Sequence, residues 1–306
     1  MHGTRHAEEE VAHMIETIIL KKKIYHKLHL DSDKVVESFL TKQFHQLIDA
    51  YKDIPNSSTT ETKEKTPIFV CWWQGEENAP EIVRICIESI RRNAQGHPVV
   101  LITKSNWDEW TDIPAFILKK VETQRISFTH FSDILRMHLL ARHGGLWLDA
   151  TMFVANPIPE IIFSQPYWTI HRKVQNSITK GRWTGYCQAG QPNALIHSFC
   201  RDFFISYWKK YNRLIDYFLI DYVMDIGYRN LPHMKQLIDS VAPSNQKVLD
   251  LDRSFHLVYD QEAYRELVCS QTFFKLNWKR TYPTDIDGKA TMYQHFLDTQ
   301  REFLGS

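Results

Sequence analysis

No stretch of this 306-residue chain approaches the roughly 18 consecutive apolar residues that a bilayer-spanning helix needs. The early residues do not read as a charged-then-apolar secretion pattern either: the longest early apolar piece, Ile18-Ile19-Leu20, runs at once into Lys21-Lys22-Lys23. Cysteine is sparse. Cys71, Cys86, Cys187, Cys200 and Cys269 are odd in number and widely spread, without the close pairs of a zinc site, which argues against a disulfide framework and for a reduced, cytoplasmic setting. Charge of one sign is also lacking, since 37 basic against 36 acidic residues leave +1, and no nucleic-acid partner is implied. His130, His138 and His143 crowd one region, yet no pair has the His-Glu-x-x-His spacing of a zinc enzyme, so structural roles are expected for them. No internal repeat is found.

What is present reads as a soluble globular protein. With 43% hydrophobic and 24% charged residues the chain can bury one large α/β core with accessory helices, which we expect in preference to two small domains. Aromatics reach 13%, including nine Trp; such rings cover sugar faces, although most serve the core. From about Glu8 to Tyr51 apolar residues such as Val11, Ile15, Ile18, Ile19, Val36, Leu40, Phe44 and Ile48 recur at spacings of three and four, predicting an N-terminal helical region over 1–55. Its basic cluster, Lys21-Lys22-Lys23 with His26, Lys27 and His29, suits either a solvated face or an anionic membrane surface. Polar residues over 56–66 predict a linker, and 67–306 the main domain. There the alternation of a parallel sheet follows: strand Ile68 to Trp72, helix Glu81 to Arg92, strand Val99 to Thr103, and helices near Trp107 to Trp110 and Ala115 to Glu122. Further strands are expected around Tyr167 to Ile170 and Arg182 to Gln188, then helices near Leu195 to Lys209 and Leu214 to Tyr228.

The densest information lies between Ser132 and Thr151. Asp133 and Arg136, three residues apart, share a face of an otherwise apolar helix, and Gly144-Gly145 stop it because glycine tolerates the left-handed C-cap. Leu146-Trp147-Leu148 reads as a buried strand, which delivers Asp149 at its carboxyl end, where open α/β sheets hold ligands. Each piece alone is a commonplace exposed ion pair or turn. Joined, they suit a charged, sugar-bearing ligand.

These residues resemble the nucleotide-sugar signature of GT-A glycosyltransferases, in the style of glycosyltransferase family 32 and the large clostridial toxins. The likeness extends to bacterial capsular polysaccharide synthesis proteins through Ile68-Phe69-Val70-Cys71-Trp72-Trp73-Gln74-Gly75, Thr129-His130-Phe131-Ser132-Asp133, Gly181-Arg182-Trp183-Thr184-Gly185 and Phe274-Lys275-Leu276-Asn277-Trp278-Lys279. It implies an α/β, GT-A type Rossmann-like nucleotide-sugar-binding fold with a mixed central sheet and N- and C-terminal helical additions. The implied activity is retaining transfer from a UDP-sugar to a glycan or polyprenol-linked glycan in capsule or exopolysaccharide synthesis, at the inner face of the cell membrane. Alternatives are a non-catalytic sugar-nucleotide scaffold, or a transferase acting on a protein side chain.

The resemblance assigns Asp133, Arg136 and Asp149 to donor and catalysis. Asp216 and Asp221, five apart, do not share one helix face, and Asp221 is the one expected at the site. Donor binding is expected of Trp73 or Trp72, Gln74, Gly75, Gly144, Gly145 and Thr151, and of Lys275, Trp278, Lys279 and Arg280 in a closing tail. Gln188, Ala189 and Gly190 would approach the acceptor. Mn or Mg would sit on Asp149, helped by His295 and Asp287. One departure bears on the metal: where the wider fold carries Asp-x-Asp, this chain has Asp149-Ala150-Thr151, and a hydroxyl is a poor substitute for a carboxylate toward a hard cation.

Overall fold

The computed structural model describes residues 2–28, 31–56, 65–174 and 177–304, with side chains from residue 13 onward. Most of the predicted linker, together with Val11 and His29, lies outside these described side chains. Seven strands organise the core: β1 (Ile68–Cys71), β2 (Val99–Ile102), β3 (Gly145–Leu148), β4 (Met152–Val154), β5 (Tyr167–Thr169), β6 (Cys187–Gly190) and β7 (Phe273–Lys275). Five form one sheet in the order β2-β1-β3-β6-β5, with β1 parallel to β2 and β3, and β6 antiparallel to both β3 and β5. This is the expected α/β arrangement with a mixed central sheet. β4 and β7 pair separately, antiparallel, with Met152 opposite Lys275.

Strand residues alternate between two cores because successive side chains leave a strand on opposite faces. Phe69, Trp147 and Tyr167 point to one side, against the helices Phe128–His143, Leu195–Lys210 and Leu219–Asn230. Ile68, Val70, Leu146, Leu148 and Ala189 point to the other, against the helix Glu81–Asn93, the β4–β7 pair and the helix Met292–Arg301. The N-terminal residues form three helices, His2–Lys27, Asp33–Gln43 and His45–Tyr51, which bury Ile15, Leu40, Phe44 and Ile48 in the first core. Phe44 meets Phe203 at 4.5 Å between ring centroids, and Tyr51 donates to Asp202 at 2.6 Å.

Two predicted elements shift. The strand expected from Arg182 begins only at Cys187, because the chain bends at Arg182 and turns again at Gly185 and Tyr186 just before it. The helix expected from Leu214 begins at Leu219, since the Asp216 carboxylate accepts from the Phe218 amide and holds a local turn instead.

The topology gathers one edge of the sheet. Carboxyl ends of β1, β3 and β5 and the amino end of antiparallel β6 meet there, Leu148 standing opposite Cys187. At the other edge Gly145, Gly190 and Tyr167 lie in register.

Candidate functional site

The helix Phe128–His143 starts where the Ser127 hydroxyl accepts from the His130 amide at 3.2 Å, a cap worth about 1 kcal/mol. From this anchored first turn it presents Asp133 and Arg136 toward the gathered sheet edge. Arg136 is 3% exposed. Its guanidinium pairs with Asp133 at 3.1 Å, donates to Asp149 at 3.2 Å and lies 5.1 Å from the centre of the Trp147 ring. Such a pair is buried, so it is not the solvated helix-face pair that spacing alone would also allow.

Asp149 is the hub. It accepts from Arg136 and, at 2.9 Å, from the Trp147 indole on one oxygen, and from Lys275 at 2.7 Å on the other. Burial pushes its carboxyl upward, but the Lys275 and Arg136 cations and the hydrogen bonds from Lys275 and Trp147 outweigh burial and hold it well below the usual carboxylate range. Lys275 reaches it because β7 pairs with β4, which begins three residues after Asp149. Behind Asp133 stands His130: its Nε2 lies 2.9 Å from the Trp208 indole, which can only donate, so the proton falls on Nδ1, 3.5 Å from Asp133.

These groups open on a cavity of about 850 Å³, the size of a nucleotide-bearing pocket. Thr151, Asp221, Trp278 and Lys279 line it with Asp133, Arg136, Asp149 and Lys275, so eight of the residues singled out in the sequence come together. Asp216, by contrast, is tied to Lys22 at 2.7 Å. Trp183 donates to Asp221 at 3.0 Å. Burial, and further the negative charge of Asp133, push the Asp221 carboxyl up to about 6 against the Trp183 hydrogen bond.

Of the other expected site residues, Trp72 joins this lining and those that follow sit elsewhere. Trp72, not Trp73, lines the cavity, edge-on to Trp278 at 5.5 Å; Trp73 turns the opposite way onto Phe131 at 5.1 Å. Gln74 and Gly75 form the turn after β1, where Asn78 donates to the Gln74 carbonyl, outside the cavity lining. Gly144 and Gly145 lie at the far sheet edge, packed on Pro192 and Pro67, and so are placed to shape the chain rather than to touch a donor. Gln188, Ala189 and Gly190 are buried within β6: Gln188 donates to the Thr184 carbonyl and Gly190 abuts the His197 ring, which leaves none of them facing an acceptor. His295 stacks on Tyr259 at 3.8 Å, away from Asp149, and burial lowers its pKa.

The donor set therefore does not fit a hard divalent ion. Asp149 brings the one carboxylate of the Asp-Ala-Thr motif, both of its oxygens already held by cations, and the described residues contain no group of three His, Cys, Asp or Glu side chains able to hold a metal.

Sequence reasoning missed Arg172 and Tyr186. Arg172 follows β5 and Tyr186 precedes β6, so both reach the same sheet edge only because β6 runs antiparallel. No local motif marks them. The Arg172 Nε and the Tyr186 hydroxyl are buried without a hydrogen-bond partner among the described residues, as is Nε of Arg136, whose Nη1 is taken by Asp133. Buried donors left over in this way suit an anion rich in acceptors.

Asp221 yields a stability prediction. With its folded pKa raised from 3.8 to about 6, the folded state holds a proton that the unfolded state has lost, so stability falls as pH rises between those values and stays lower above them. Asp221→Asn keeps the oxygen that accepts from Trp183. It is expected to raise the Tm at pH 7 and to lose that advantage below about pH 4; a gain of equal size at both pH values would show that the Asp221 charge is not opposed by its site.

Among solved structures, PaToxG glycosyltransferase superposes with a TM-score of 0.42 at 14% identity, over 68% of this chain and 83% of that one. No curated protein matches the chain. Residues 16–296, nearly the whole length and all of the cavity-forming elements, match the family described as capsular polysaccharide synthesis protein, and the chain belongs to that family.

Proposed function

We propose that the protein is a retaining glycosyltransferase that moves a sugar from a UDP-sugar donor to a glycan, free or carried on a polyprenol, during assembly of a capsule or exopolysaccharide. Family membership supports the pathway, and one observation carries the chemistry: a cavity where a buried Arg136 is clamped between Asp133 and Asp149 and joined by Lys275. Departure of a nucleoside diphosphate leaves charge that must be met as it develops. Arg172, whose Nε has no hydrogen-bond partner among the described residues, and Lys279 also line the cavity and add positive charge. In this reading Lys275, Arg172 and Lys279 meet the diphosphate, and Asp133 and Asp149 hold Arg136 in place while offering acceptors to sugar hydroxyls. Trp72 and Trp278 offer an aromatic wall to a base or sugar face. Cations of the chain do the neutralising here.

Calorimetry with UDP in the presence of EDTA is the test. UDP is expected to bind the metal-free protein, and Arg172→Ala to weaken binding about tenfold, the loss of one charge-assisted hydrogen bond. Binding that appears only with added Mn or Mg would overturn the role given to the side-chain cations. Hydrolysis of UDP-sugars, with the anomeric configuration of the product followed by NMR, tests catalysis and retention. UDP binding without hydrolysis or transfer would favour a scaffold.

A further inference from the structure

The helix His2–Lys27 and the residue after it carry an apolar stripe that stands exposed among the described residues. Leu20, Ile24 and Leu28 are 59%, 48% and 61% exposed and, four residues apart, share one face. The opposite face does the packing: Ile15 is buried in the core, and Lys22 turns inward to pair with Asp216 at 2.7 Å and to donate to Tyr222 at 2.8 Å. Lys23 and Lys27 each lie one turn beyond a residue of the stripe, and Lys21 one turn before Ile24. None of these three lysines has an acidic partner among the described side chains; the nearby Glu16 is taken by Arg213 at 2.8 Å. A chain whose net charge is only +1 thus concentrates uncompensated positive charge beside exposed leucine and isoleucine.

The position of the stripe matters as much as its composition. Lys22 ties this helix to Asp216, and the next two residues, Tyr217 and Phe218, are 65% and 49% exposed and line the cavity. The helix that carries the apolar, basic face is thus anchored by its packed side to the segment that leads into the cavity mouth. No helix among the described residues is long and apolar enough to cross a membrane, so this face suits a helix lying in a bilayer surface.

We infer that Leu20, Ile24 and Leu28, flanked by Lys21, Lys23 and Lys27, dock the protein on an anionic lipid surface and so bring the cavity mouth to acceptors held there. The lysines select the occupant: a neutral apolar partner would gain nothing from three unpaired cations, whereas anionic headgroups complement them while the stripe enters the acyl boundary. The inference rests on the reading above only in placing the acceptor on a lipid.

Co-sedimentation with vesicles of phosphatidylcholine alone, or mixed with phosphatidylglycerol, tests it. The full chain is expected to partition onto the mixed vesicles at least about tenfold better than onto the neutral ones, and to be released by salt. Leu20→Glu with Ile24→Glu is expected to lower that partition by about tenfold or more. Thermal melts check that the variant is folded, and its UDP affinity is expected to equal wild type. Equal binding to both vesicle types, or unchanged binding by the folded double variant, overturns the inference. UDP affinity in the same samples reports separately on the donor site, so the two readings fail by different measurements.

Discussion

Asp149→Ala is expected to lower sugar transfer by about 10²–10³-fold, the loss found when one preorganised electrostatic group leaves a dry site. The variant removes an acceptor and also undoes the arrangement of two cations, because Arg136 and Lys275 both close on this carboxylate. Arg136 keeps Asp133 at 3.1 Å, so its charge stays partly matched. Breaking a buried pair costs about 3–5 kcal/mol when a charge is left bare, and the surviving pair places the expected loss at the lower end. Asp149→Asn separates the two effects, since its amide oxygen still accepts from Trp147 while the negative charge is gone. It is expected to melt closer to wild type and to transfer as poorly as the alanine variant. The Asp149 carboxyl is held well below the usual range, so its contribution to stability is complete above the unfolded carboxylate pKa and fades only as pH falls below it. An acid limb of activity near pH 6 would then belong to Asp221. Wild-type transfer by a folded Asp149→Ala protein would remove Asp149 from the site.

The signature was legible because it is local. Helix periodicity, a glycine stop and the short apolar strand Leu146-Trp147-Leu148 are all written close together in the sequence, and the structure repeats them as Phe128–His143, Gly144 and β3. That Asp133 and Arg136 share a face follows from helix geometry alone. Lys275 was named with Trp278, Lys279 and Arg280 as a C-terminal group for the donor, although its link to Asp149 runs through the β4–β7 pairing, which no local pattern encodes. Arg172 and Tyr186 were illegible for the same reason: what brings them in is the reversal of β6 relative to β3. The errors share a cause as well. Gln188, Ala189 and Gly190 were expected to approach the acceptor, but a strand in the middle of a sheet buries its side chains on both faces. The choice between Trp72 and Trp73 needed only the knowledge of which face of β1 carries the cavity, and neighbouring residues in the sheet do not reveal it.

Gly145→Ala is expected to be strongly destabilising for a single added methyl, while leaving the donor site intact in whatever protein folds. Gly145 has φ +88, and a Cβ there would lie 2.2 Å from the Pro67 carbonyl oxygen, which is backbone and accepts the Leu146 amide at 3.0 Å. Two costs add. A side chain in left-handed conformation costs about 1–2 kcal/mol, and forcing extra volume into closed packing about 1–3 kcal/mol more. The overlap falls at the start of the β1–β3 ladder, so relief would have to move the strand that carries Asp149. Gly96 is the control: it has φ +81 but nothing within 4 Å of its added Cβ, so Gly96→Ala bears the conformational cost alone. The Tm of Gly145→Ala is therefore expected to fall below that of Gly96→Ala by roughly 5 °C or more. Equal melting of the two variants would show that Pro67 yields easily and that the glycine pair is not a packing device. UDP titration separates this from a donor-binding role, because Gly145 stands at the sheet edge opposite the cavity. The folded fraction of Gly145→Ala is expected to bind UDP with wild-type affinity, and a selective loss of UDP binding without loss of stability would return the paired glycines to the donor site.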